Sequence, residues 1–153
     1  MLRVMSSKLS NWRHKRINQE RQDYYKNLGL LVLRIGVAVL MLFGHGSDKL
    51  VNFGQIAANF PDPLGVGSTF SLLLVVFAEF FCSLAIAFGF LTRWATIPLI
   101  FNMFIAAFAF HGGDSWGSRE LALLYLLPYV TLLISGPGKF SLDHLIFEKR
   151  SEP

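Results

Sequence analysis

The chain reads as all-α: an integral membrane bundle of four transmembrane helices with both termini in the cytoplasm. Three observations predict this. Of its 153 residues, 53% are hydrophobic and 16% charged, whereas a soluble domain carries about 25% charged residues. Four apolar segments, residues 28–46, 69–90, 94–110 and 120–135, approach or reach the ~17–25 residues that a spanning helix needs. Finally, lysine and arginine are shared unequally between alternate connections, as the positive-inside rule requires.

Residues 1–27 form a basic tail, with Arg3, Lys8, Arg13, Lys15, Arg16, Arg21 and Lys26 against only Glu20 and Asp23. Because most of the +4 net charge sits here, it points to anionic lipid headgroups and not to nucleic acid. The basic lead is too long for a cleaved signal peptide, and more spans follow the first. A mitochondrial transit peptide stays open, because Met1 to Asn18 contains no acid, although Glu20 and Asp23 speak against it.

The first span carries Arg34 inside it and His45, Asp48 and Lys49 at its far end. At 100° per residue, Arg34 and His45 return to nearly the same face, and Asp48 and Lys49 lie close to that stripe. Lipid cannot satisfy such groups, so this face must turn toward protein or water. The second span contains Glu79 but inserts in spite of it, since its thirteen Leu, Ile, Val or Phe residues outweigh one acid at about 3 kcal/mol. The third contains Pro98 and Asn102 and the fourth Pro128; prolines are tolerated where neighbouring helices rescue the freed carbonyl, at the cost of a kink. Asn102 shares a small-residue face with Ala106 and Ala109, which suits an interhelical hydrogen bond.

The connections fix the orientation. With the amino terminus inside, the inner side holds eleven Lys and Arg, including Arg93, Lys139, Lys149 and Arg150, and the outer side holds Lys49 and Arg119. The long outer connection, residues 50–68, can form a short interfacial helix over Gln55 to Phe60, stopped by Pro61-Asp62-Pro63, or remain a plain connector. Residues 111–119 make a glycine-rich outer loop with Asp114 and an interfacial Trp116. Gly136-Pro137-Gly138 ends the fourth span. Residues 136–153 then form a cytoplasmic segment with a short amphipathic helix, for which Ser141 is the N-cap and Asp143 lies in the first turn.

The polar groups suggest two meetings. Counted at ~1.5 Å per residue, Arg34 and Glu79 differ in depth by several ångströms, within reach of two extended side chains. They are expected either to form a buried pair or to separate, Arg34 snorkelling inward and Glu79 protonated. At the outer end His45, Asp48, Lys49, His111 and Glu120 share one level, where they can hold a polar head group, relay protons or fasten helix ends. No HxxxH or HxxE spacing supports a metal site. The single cysteine, Cys82, excludes an intramolecular disulfide or CxxC pair, and no haem or flavin motif is present.

Arg34, the LFGHGSDKL segment, the mid-span acid, LTR in the turn, Glu120 opening the fourth span and the closing GPGKFSLDHL together resemble the DoxX family over about Leu28 to Ile146. The resemblance implies a small four-helix protein of the bacterial inner membrane. It also implies similarity to the quinone-linked subunit of thiosulfate:quinone oxidoreductase, and to members assigned to membrane complexes that handle thiol or sulfur stress. Arg34, His45, Lys49, Glu79, Arg93 and Glu120 match the family's polar positions. The expectation is therefore a membrane oxidoreductase component that binds a quinone-like molecule. Glu79, His45 and Glu120 would serve its chemistry, and Arg34, Lys49 and His111 its binding. Electrons must come from a partner redox protein, and a homo-oligomer is compatible with the same bundle. Two rivals stand beside it: a non-catalytic scaffold or assembly subunit, and a small-solute or proton transporter.

Overall fold

The computed structural model describes residues 2–113 and 115–148. Asp114, Lys149 and Arg150, used above to read the loops and the charge balance, lie outside them. Among the described residues every regular element is helical. Three helical runs are long and apolar enough to cross a membrane: Lys15–Val51, Ser68–Phe88 and Thr92–Phe110. A further long helix, Trp116–Ser135, packs along the third run.

The first run is α1 (Leu2–Met41), a wider π turn at Leu42–Gly46, and α2 (Ser47–Val51). The helix thus continues beyond residue 46, where the apolar run of the sequence stops. Its buried stripe is Arg34, Val37, Ala38, Met41 and Gly46, the spacing expected of one helical face. After Asn52 come α3 (Phe53–Ile56) and a 3-10 turn at Ala57–Asn59, so a short helical segment does form in this connection, starting two residues before Gln55.

Pro61 and Pro63 then break the chain, and Asp62 organises the restart. Its carboxylate accepts from Val66 N–H at 3.1 Å, Gly67 N–H at 2.6 Å and Ser71 Oγ–H at 2.7 Å. Gly67, at φ 100°, supplies a backbone conformation that other residues rarely adopt. The second run is α4 (Ser68–Val76), a π turn at Phe77–Cys82 and α5 (Ser83–Phe88). It ends in a Schellman motif: Gly89 at φ 69° donates to Ile86 C=O, and Phe90 N–H reaches back to Ala85 C=O, satisfying carbonyls the helix end leaves open.

The third run, α6 (Thr92–Ile105) with a π turn at Ala106–Phe110, begins without a capping side chain of its own. Asp143 supplies one from the far end of the chain, its two carboxylate oxygens accepting from Leu91 N–H at 2.6 Å and Thr92 N–H at 2.8 Å. A negative group at a helix N-terminus is favoured by the exposed N–H groups and the helix dipole. Ser141 Oγ meanwhile accepts from His144 N–H at 3.2 Å, the capping role its sequence position suggests. Then α7 (Trp116–Ser135) packs along α6 and against α1. The core between the runs is made of Met41, Ile86, Leu99, Met103, Tyr129 and Leu132 with small residues such as Ala78 and Ala107.

Arg34 belongs to the end of the bundle where residues 136–143 dock, and of the two arrangements open to it the buried pair with Glu79 does not form. Its guanidinium, 2% exposed, donates to Pro137 C=O at 3.0 Å and Phe140 C=O at 2.6 Å. Gly89 lies against it so closely that a Cβ there would strike the guanidinium. The physical reason is depth: Glu79 is level with Gly46 and Lys49, and fifteen residues of helix set Lys49 roughly 22 Å from Arg34.

Candidate functional site

Where the first run meets the second, two π turns face one another. A Cβ on Gly46 would lie 2.7 Å from Glu79 C=O and 2.9 Å from Phe80 N, so the backbones touch and only glycine fits. A π turn inserts a residue into the helical ladder and re-aims the side chains around it. Here it carries Glu79, which is 5% exposed.

Both oxygens of the Glu79 carboxylate are held. Lys49 Nζ lies 2.7 Å from Oε2 and Asn102 Nδ2 donates to Oε1 at 3.0 Å. The sequence places Lys49 at the rim of the bundle; its long side chain instead reaches inward across the run boundary. Asn102 makes the interhelical bond its position suggests, with the acid as partner. A carboxylate and an ammonium so close form a unit of no net charge, which is the tolerable form for ions removed from water.

This pair opens into a cavity of about 540 Å³ bounded by the first three runs, α7 and the connection around Pro61. Its walls are mostly apolar, with Met41, Phe77, Phe101 and Met103 among them; His45, Lys49, Glu79, Asn102, His111 and Tyr125 supply the polar points. The His45 ring meets Tyr125 edge-on, centroids 5.6 Å apart, and Tyr125 stacks on Tyr129 at 6.4 Å. A second, more open cavity of about 590 Å³ shares His45, Lys49, Phe60 and Pro61 with the first and adds Asp48, Gln55 and Asn59.

The structure therefore brings together four of the six residues singled out from the sequence: His45, Lys49, Glu79 and His111. Arg34 lies at the end where residues 136–143 dock. Glu120, in the second turn of α7, is exposed and does not line the cavity, although its neighbours Leu121 and Ala122 do; it lies on another face of the helix. Asp48 turns to Asn52 Nδ2 at 2.7 Å. Arg119 is used by its own loop, donating to the carbonyls of His111 and Gly112. Sequence reasoning misses Tyr125 and Gly46; the signals for them are a tyrosine in an otherwise aliphatic stretch and a glycine flanking the histidine at the far end of the first span.

The arrangement offers donors, an acid and an imidazole at one end of an apolar chamber. Among the described residues no three His, Cys, Asp or Glu side chains cluster closely enough to hold a metal ion. The volume falls within the roughly 300–1,000 Å³ of small-molecule sites, which are typically apolar with a few convergent polar groups.

A family model described as DoxX matches residues 29–112. The chain is similar to the inner membrane protein YqjF of Escherichia coli K12, 32% identical over 128 residues that cover 81% of this chain and 96% of that protein. It is also similar to an uncharacterized protein of Haemophilus influenzae, 27% identical over 133 residues, covering 82% of this chain and 87% of the relative. No solved structure matches.

Proposed function

Because the chain belongs to the DoxX family of membrane proteins, we propose that it is the membrane component of an oxidoreductase complex, binding a quinone-like molecule in the cavity beside Glu79. The proposal includes a fourth crossing by α7, both termini on the cytoplasmic side and residence in a bacterial inner membrane. The observation that carries the reading is one carboxylate held by Lys49 and Asn102 at the end of a largely apolar chamber.

A quinone ring needs flat apolar walls and polar groups for its oxygens, and the chamber fits that need: Phe77, Phe101 and Tyr125 supply rings, and Lys49, Asn102 and His45 supply nitrogen groups. Such a molecule exchanges two electrons and two protons when it is reduced. The residues bind and orient the ring, and Glu79 and His45 hold or pass protons at its oxygens. Electrons come from a partner redox protein, in keeping with the sulfur or thiol chemistry that the family resemblance implies. His111 closes the outer wall of the same chamber.

One observation favours a second reading. Both Glu79 oxygens already have protein partners, so the cluster can serve only to fix how the first three runs pack in a larger assembly. Equilibrium binding of a tailless benzoquinone to the purified protein in nanodiscs separates the two. The ligand reading expects saturable binding, weakened about tenfold or more by Glu79→Gln and Lys49→Met. No saturable binding to the wild type, with Glu79→Gln reducing only recovery of folded protein, supports the scaffold.

A further inference from the structure

The cavity has a side that the protein does not close. In the second run the Phe77–Cys82 turn and α5 pack against α6, while α4 packs chiefly against α2 and the Ala57–Asn59 turn. α4 therefore packs less closely on α6 than the rest of the second run does. The residues along the two edges, Leu74 and Phe77 on one and Pro98, Phe101 and Ile105 on the other, all line the cavity. Leu74, Phe77 and Phe101 line the cavity and yet remain 42–54% exposed, so the chamber is not sealed along this seam.

The geometry points to a lateral doorway between α4 and the outer half of α6, through which the site takes an amphiphile with one long apolar tail. The tail leaves the chamber sideways among the acyl chains while the head rests against Lys49, Glu79 and Asn102. The inference rests on the reading of this chamber as a ligand site and adds the class of ligand and its route. Polarity decides the assignment. The doorway edges carry no charged group, whereas the second cavity, beyond His45 and Lys49, is bordered by Asp48, Gln55 and Asn59. A long hydrocarbon chain is excluded from that polar mouth by the cost of exposing it to water. Isoprenoid-tailed quinones and single acyl chains of membrane lipids share this chemistry.

Photolabelling of the full chain in nanodiscs tests it, with two probes: a benzoquinone bearing a decyl tail that ends in a diazirine, and a phosphatidylcholine with a diazirine on one acyl chain. Labelling by the quinone probe concentrated on residues 71–77 and 98–105, and competed by unlabelled tailed quinone, is the expected result. Leu74→Trp with Ile105→Trp fills the gap and should abolish this labelling while helical circular dichroism is kept. Leu73→Trp, on the same helix but outside the cavity wall, should leave it unchanged. Labelling confined to residues 44–61, or spread evenly over the lipid-facing surface, overturns the doorway even if quinone binds, leaving the functional reading intact. Phosphatidylcholine labelling of the cleft that quinone does not displace supports the doorway and removes the quinone reading.

Discussion

At the scale of single residues, close approach and hydrogen-bond geometry decide most outcomes. Gly46 sits against the Glu79 backbone, so Gly46→Ala should cost about 1–3 kcal/mol through forced separation of the two runs. Gly44→Ala, where a Cβ meets nothing within 4 Å, should change thermal unfolding in detergent hardly at all. Equal shifts for the two variants would contradict the packing. For Lys49 and Glu79, removing one partner leaves a buried charge alone, about 3–5 kcal/mol, whereas removing both costs less than the sum; a double-mutant cycle measures the difference. Asp62 adds a pH dependence. The Ser71 hydroxyl, and then the Gly67 N–H, hold its carboxyl below the ordinary 3.8. A depressed value means the loop support is complete above about pH 3.8 and is lost as pH falls through the lower folded value. Amide exchange at Val66 and Gly67 should accelerate there, and Asp62→Asn should remove the transition.

At the scale of elements, the segment after Gly136 fastens one end of the bundle. Arg34 binds the carbonyls of Pro137 and Phe140, Asn27 Oδ1 accepts from Lys139 N–H at 2.7 Å, and Asp143 caps α6. Asp143→Ala should cost about 0.5–2 kcal/mol as a lost cap. It should also expose the segment after Gly136 to proteolysis. Arg34→Lys should behave as a loss and not as a conservative change, since one ammonium cannot reproduce the planar fork that spans two carbonyls. If both variants resist protease like the wild type, the clamp has no role in docking this segment.

The long apolar helices were legible from hydropathy, because the bilayer demands continuous apolar length and little else. Glu79 was legible as an intramembrane acid for the same reason. Its partner is not: depth counted inward from Leu28 and Thr69 leaves Arg34 as the nearest cation, and a first span ending at residue 46 sets Lys49 at the rim. The helix in fact continues through Val51 and widens at Leu42–Gly46, as the second run does at Phe77–Cys82, which no periodicity reveals. Nor does hydropathy say which face of α7 turns inward, since a membrane helix is apolar all round; hence Glu120 was grouped with His45, and Tyr125 was passed over. The Asp143 cap joins residues about fifty positions apart and has no local pattern.

Across the whole molecule, Arg34 and Asp143 fasten one end of the bundle, and the cavity beside Glu79 lies toward the other. Stability and ligand binding should therefore separate: Arg34→Gln should lower the unfolding temperature yet leave the chamber's affinity for a quinone ring unchanged in protein that remains folded. The most direct test of the central claim is the infrared difference spectrum of a 13C-carbonyl-labelled benzoquinone in nanodiscs containing the protein. A carbonyl stretch lowered relative to the same molecule in lipid alone, and shifted back toward the lipid value by Lys49→Met with Asn102→Leu, is the predicted result. A spectrum identical with and without the wild-type protein would contradict it.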